Sequence, residues 1–270
     1  MTPPVRVKPT PLVVPPSGDK VTVVYFDTET TGLKEPNACE IGAIRSEYVA
    51  GKRLDRKILE TYIKPPKPIE FEAMGVNHIT NEMVAAAPCA EDATPLVKEI
   101  FEGADIIVAH NAQFDLGVMD RDFPGLLPKS AMDPKIMDTQ RLAQHRWPDI
   151  PSYKLQVLRY RFRLDDREKV TGDAHHAVFD ATYCQLLVEL LLEEGKFGTL
   201  HEMAAKTRML IKLAAINFGT HYGKRIEDLP ASYVTWLLGE EFVPRERPDL
   251  YYTLTGRAPA GWEGKVPKHG

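Results

Sequence analysis

Hydrophobic and polar positions follow two periods along this chain. From Val21 to Phe26 (VTVVYF) the residues are β-branched or aromatic, the composition of a buried strand. Glu40 to Val49 (EIGAIRSEYV) and Leu54 to Ile63 (LDRKILETYI) predict two more strands, and their short connections favour an antiparallel meander. Pro65, Pro66 and Pro68 end that pattern, and short helices are expected over Ile69 to Val76 and Thr80 to Ala87. Glu91 to Phe101 has helical spacing at Ala93, Leu96, Val97 and Ile100, with Gly103 as the stop. Asp105 to Ala109 (DIIVA) reads as a short central strand buried on both faces. A helix over Ala112 to Asp120, a strand over Lys135 to Asp138 and helices over Thr139 to His145 and Ser152 to Tyr160 follow. A long Leu- and Ala-rich helix is expected over His175 to Glu194. Three antiparallel strands, then alternating helices and strands, specify an α/β fold with helices packed on a mixed sheet.

A chain of 270 residues accommodates one large domain, or one domain plus a small appendage. Residues 1–19 are proline-rich and read as an extended tail, with the main domain at 20–195, a small C-terminal module at 196–250 and a tail at 251–270. An apolar fraction of 43% is enough for a buried core. The net charge of −4 supplies no global positive field, so a polyanion must be held locally, by metals and a few basic side chains. Cys39, Cys89 and Cys184 are scattered, which argues against a disulfide framework or structural zinc and for a reducing compartment. The first residues resemble neither a signal peptide nor a membrane anchor, so the expected location is cytoplasmic.

Asp27 and Glu29 stand at the far end of the first strand, two apart and therefore on one side of it. Ionising both is costly without a cation, and carboxylate oxygens are the ligands Mg²⁺ and Mn²⁺ prefer. The same spacing recurs at Asp166 and Glu168 in RLDDREK, which reads as a solvated loop. Asp115 sits beside a helical stripe of Phe114, Val118 and Met119, where a charge costs stability unless neutralised; a surface position is the competing reading. Asp180 lies in the first two turns of a helix whose Val178, Leu186, Leu187 and Leu190 face the core. On one continuous helix His175 and Asp180 would diverge by about 140°, which places His175 on the loop before it. His176 reads as a surface imidazole. Four such carboxylates suggest a two-metal site for phosphoryl displacement, with a nearby histidine to take the proton from water. GTHYGKR, from Gly219 to Arg225, falls short of a phosphate-binding loop by one residue between its glycines and by Arg225 in place of Ser or Thr.

Together FDTETTGL, HNAQFD and HHAVFD, in this order and spacing, resemble the three motifs of the DEDD-type 3′→5′ exonucleases in their histidine-containing branch, over roughly Val21 to Glu194. The resemblance implies an RNase H-like fold and two divalent cations, Mg²⁺ or Mn²⁺. It casts Asp27, Glu29 and Asp180 as direct ligands, Asp115 as a ligand partly through water, and His175 as general base. It places a 3′-terminal nucleotide against Thr30, Leu33, Asn77, Asn111 and Phe114, although the family often has histidine at the position of Asn77. The implied partner is nucleic acid, a single strand or the 3′ end of DNA, with a DNA polymerase or repair protein as a further partner. An RNA or oligoribonucleotide exonuclease, and a binding module without catalysis, are the competing readings. Phe218 to Leu237 is similar to a short module attached to some bacterial exonucleases. Lys206, Arg208, Lys212, Lys224 and Arg225 with Phe218 and Tyr222 suit a single-stranded nucleic acid; the alternative is a structural lid cored by Trp236 and Tyr233.

Overall fold

The structure is a computed structural model and describes residues 19–168, 170 and 176–262. Strands β1 (Lys20–Thr30), β2 (Ala38–Val49) and β3 (Lys52–Tyr62) form the expected antiparallel meander. Helices α1 (Phe71–Asn77), α2 (Asn81–Val84) and α3 (Ala90–Phe101) follow, then β4 (Ile106–Ala109), α4 (Ala112–Asp122) and β5 (Ile136–Asp138). Next come α5 (Thr139–Arg146), α6 (Leu155–Arg161), α7 (Ala177–Glu194) and α8 (Leu200–Thr207). The sheet order is β3-β2-β1-β4-β5, with β4 and β5 parallel to β1. This is the mixed sheet expected from the sequence, in the RNase H-like arrangement.

Alternation along β1 sends Val23 and Tyr25 to one face and Val24 and Phe26 to the other. The first face is covered by α5 to α8, through Leu142, Leu158, Leu186, Leu187 and Met203. The second is covered by α3 and α4, through Val97, Ile100, Leu116 and Met119. Because β1 lies at the centre, both its faces are dry and its end is the natural place for a site between the layers. The helix α7 packs unusually close to β2. A Cβ at Gly42 would overlap the backbone nitrogen of Val178, so only glycine admits the start of α7 there.

The C-terminal boundaries differ from those expected. Helix α8 belongs to the main core, through Leu200, Met203 and Ala204. Beyond it, α9 (Ala231–Gly239), α10 (Phe242–Glu246) and α11 (Pro248–Thr255) surround Ile216, Leu229, Leu237, Val243 and Leu250. Helix α11 runs across the expected start of the tail at 251, because Tyr252 is buried. Trp236 is 46% exposed and is not the module's core, since the face of α9 that carries Leu237 turns inward instead. Arg141 of α5 holds the module in place. Its guanidinium donates to Thr207 O at 2.6 Å, Met209 O at 2.8 Å and the Asp249 carboxylate at 2.8 Å. Two of the cations expected along a substrate path are engaged within the protein: Arg208 donates to Pro134 O and Ala204 O, and Arg225 to Glu227.

Candidate active site

Asp27 and Glu29 fall inside β1, and alternation carries them to the face covered by α7. Gly42 pairs with Asp27 across the β1–β2 ladder, so the close approach of α7 occurs beside Asp27. Asp180, one turn into α7, is thereby brought over the end of β1. One carboxylate oxygen from each of Asp27, Glu29 and Asp180 lies within 4.8 Å of the others. Gln156 of α6 donates to Asp180 Oδ1 at 2.5 Å and fixes its orientation.

Asp115 approaches from the other helical layer. It is 3% exposed, which excludes the surface position, and it accepts from Thr28 N at 3.0 Å and Thr28 Oγ1 at 2.7 Å. Asp115 is not part of the three-carboxylate group within 4.8 Å, yet its charge raises the pKa of Asp27. Burial is the main reason that Asp27 titrates well above the carboxylate range, followed by repulsion from Asp115 and Asp180. Glu29 is pushed up to about 9 by burial, then by Asp180 and Glu40, with a hydrogen bond from Asn77 opposing the rise. Burial raises Asp115 to about 7 against the pull of its bonds from Thr28. Such a set demands neutralisation, by protons or by a cation. Its hard carboxylate oxygens fit a divalent ion such as Mg²⁺ or Mn²⁺.

The other expected site residues divide into exposed and internally engaged groups. Leu33 is 86% exposed on the loop after β1. Thr30 is buried and its hydroxyl donates to Gly32 O at 3.1 Å. Asn77 is also buried: its amide donates to Thr30 O at 3.2 Å and accepts from Ile79 N at 3.0 Å, so it shapes the strand end from within. Asn111 takes a left-handed conformation, φ 63°, at the start of α4, and Phe114 packs part-buried against the α3–α4 core. His175 lies outside the described residues. His176 is not a surface imidazole: it stands at the N-terminal boundary of α7 without a side-chain bond to the helix, its Nδ1 3.4 Å from Glu40 Oε1. Glu168 is likewise no solvated loop residue, because Arg53 and Arg56 both donate to it, whereas Asp166 is exposed and pairs with Arg163 at 2.7 Å.

Two carboxylates escaped the sequence reading. Glu40 faces Glu29 across the ladder, is buried, and accepts the amide hydrogen of Ala177 at 2.9 Å. Asp138 at the end of β5 caps α5 through Gln140 N at 2.8 Å and accepts from Asn111 N and Ala112 N at 3.1 Å each. Asp138 had a visible signal, a strand-end aspartate directly before a helix. Glu40 had only its place at the head of an apolar strand.

A five-stranded mixed sheet with acidic residues gathered at its central strand end, between helical layers, has the donor set to hold a divalent cation. Residues 24–187 match the RNase_T exonuclease family, and the chain belongs to it. It is an enzyme of the 3′→5′ exonuclease class. DNA polymerase III subunit epsilon of Salmonella typhimurium is 32% identical over 180 residues, spanning 63% of this chain and 69% of that protein. Exodeoxyribonuclease 10 of Escherichia coli is 30% identical over 234 residues, spanning 85% of this chain and 95% of that protein. The solved structure of exonuclease X in complex with 5′ overhanging duplex DNA superposes with a TM-score of 0.54 at 28% identity, over 68% of this chain and 99% of that one. Among the described residues no helix is long and apolar enough to cross a membrane.

Proposed function

We propose that this chain hydrolyses phosphodiester bonds from the 3′ ends of DNA with the help of two divalent cations, Mg²⁺ or Mn²⁺. The observation that carries the reading is the Asp27, Glu29 and Asp180 group, three carboxylates within 4.8 Å at the end of the central strand. A pure binder of polyanions gains nothing from acids gathered there. When bound, the cations stabilise charge on the attacking and leaving oxygens. Asp27, Glu29 and Asp180 would hold them directly, and Asp115, oriented by Thr28, would do so partly through water. His175, next to the cap of α7 in sequence, takes the proton from the attacking water. Leu33, Asn111 and Phe114 receive the terminal nucleotide, while Thr30 and Asn77 set the shape of the strand end beneath it.

Exodeoxyribonuclease 10 matches well beyond residue 195, whereas the polymerase subunit matches over 180 residues. That extent supports an independent repair or degradation enzyme over a proofreading subunit of a polymerase. The C-terminal module, docked through Arg141 and Asp249, extends the nuclease core without contributing to the chemistry. The test is degradation of labelled single-stranded DNA, duplex DNA and RNA, each with Mg²⁺ and with EDTA. Mg²⁺-dependent loss of the DNA strands is expected. Degradation of RNA alone would replace the substrate assignment, and no degradation of any strand would leave a binding module.

A further inference from the structure

Large apolar side chains in water are unremarkable when scattered and informative when they share one ridge. Leu33 (86% exposed) and Phe71 (85%) come from the loop after β1 and from the start of α1, whereas Val76 (53%) lies five residues on, about 140° round that helix. Hydrogen bonds join these two segments. Glu70 N donates to Thr31 O at 2.9 Å, Lys67 Nζ to Glu35 O at 2.6 Å, and Asn77 to Thr30 O at 3.2 Å. Leu33 and Phe71 therefore leave the chain close to a single backbone junction, Thr31–Glu70. The inward packing of α1 is carried by Ala73 and Met74 against Ile69, Ile79 and Val84, with no part for Phe71. The acidic site adjoins this junction, because Asn77 at the end of α1 donates to the carbonyl of Thr30, the residue after Glu29.

The geometry points to Phe71 as an aromatic platform on which an unpaired base near the 3′ end of the substrate stacks, beside Leu33. This rests on the nuclease reading above. Every base has a π-face, so the platform accepts any sequence but requires a base free of its own helix. A paired end would have to fray before reaching it. Phe71 thus favours single-stranded or frayed ends, and it acts on substrate binding, not on the hydrolytic step.

The experiment uses the full chain in EDTA, where no turnover competes with binding. Single-stranded DNA carries 2-aminopurine at the last, second-last or third-last position. At one of these positions the wild type should quench the fluorescence, Phe71→Tyr should retain the quenching and Phe71→Ala should lose it. With Mg²⁺, Phe71→Ala should raise KM for single strands by about tenfold, within the range of one lost stack, at nearly constant kcat. An abasic site at the responding position should abolish that difference. Unchanged quenching and KM in a Phe71→Ala protein with a wild-type melting curve would overturn the proposal and leave the ridge to a protein partner. If the wild type cleaves no DNA with Mg²⁺, the nuclease reading fails separately, and the quenching measurement still decides whether Phe71 stacks on a base.

Discussion

Glu40 accepts the amide hydrogen of Ala177 at 2.9 Å, joining the second strand to the first residue of α7. The contact sets where α7 begins, and so where Asp180, three residues on, meets Asp27 and Glu29. Its buried carboxylate also faces the imidazole of His176, 3.4 Å away. Burial raises the Glu40 pKa, while the Ala177 amide and His176 oppose the rise. The Ala177–Glu40 bond takes one of the amides that a helix N-terminus leaves without an internal partner.

Replacing Glu40 should therefore separate acceptor from bulk. Glu40→Gln keeps an oxygen for Ala177 N and should retain most of the activity. Glu40→Ala strands a buried amide and should lower stability by about 1–3 kcal/mol, with a clear loss of kcat. Chemical denaturation and steady-state kinetics on the two variants check this. Equal losses in both would mean that the charge of Glu40, and not its place as an acceptor, is what matters.

Asp115 gives a second test through Thr28. Thr28→Val preserves shape and the backbone bond but removes the hydroxyl donor at 2.7 Å. That donor favours the ionised carboxylate, so its loss should lift Asp115 further above its value of about 7. At limiting Mg²⁺, where Asp115 must lose its proton to help take up the ion, activity of Thr28→Val should fall by about tenfold near neutral pH and recover towards the wild type as pH rises. A pH–rate profile reads the shift. A uniform loss at every pH would show that Thr28 supports the fold and not the ionisation of Asp115.

The raised carboxyls also tie stability to pH. A group whose folded pKa exceeds its unfolded one favours the fold most while protonated. For Glu29, with a folded value of about 9, that contribution is full below the ordinary carboxylate range and is lost as pH rises towards about 9. In EDTA, the melting temperature should therefore decline across this window, and Glu29→Gln should flatten the decline. Mg²⁺ should raise the melting temperature more at higher pH, because ionised ligands bind it without releasing protons. Melting curves in EDTA and in Mg²⁺ from pH 5 to 9 would test this; parallel curves would contradict it.

Much of this arrangement was legible because strand alternation is a local property. It placed Asp27 and Glu29 on one face, while an unbroken apolar run identified β4 as a strand buried on both faces. Helical periodicity identified α4 and α7 but left Asp115 open between core and surface, since only contact with Thr28, 87 residues away, decides it. Glu40 was invisible for the same reason: its partner lies 137 residues further along the chain. Glu168 shows the converse. Its charged neighbourhood reads as solvated, yet Arg53 and Arg56 from β3 reach across to pair with it. The extent of the C-terminal module was obscured because α11 is short and its inward face, Leu250 with Tyr252, gives a weak periodic signal.

The central claim, metal-dependent hydrolysis from the 3′ end by the Asp27, Glu29 and Asp180 group, is tested most directly by following a single DNA strand labelled at its 5′ end. With Mg²⁺ or Mn²⁺, the labelled strand should shorten from its 3′ end through a ladder of intermediates. EDTA, Asp27→Ala and Asp180→Asn should each abolish the ladder in protein that remains folded. Early release of a labelled mononucleotide, or an undiminished ladder in EDTA or in either variant, would contradict the account.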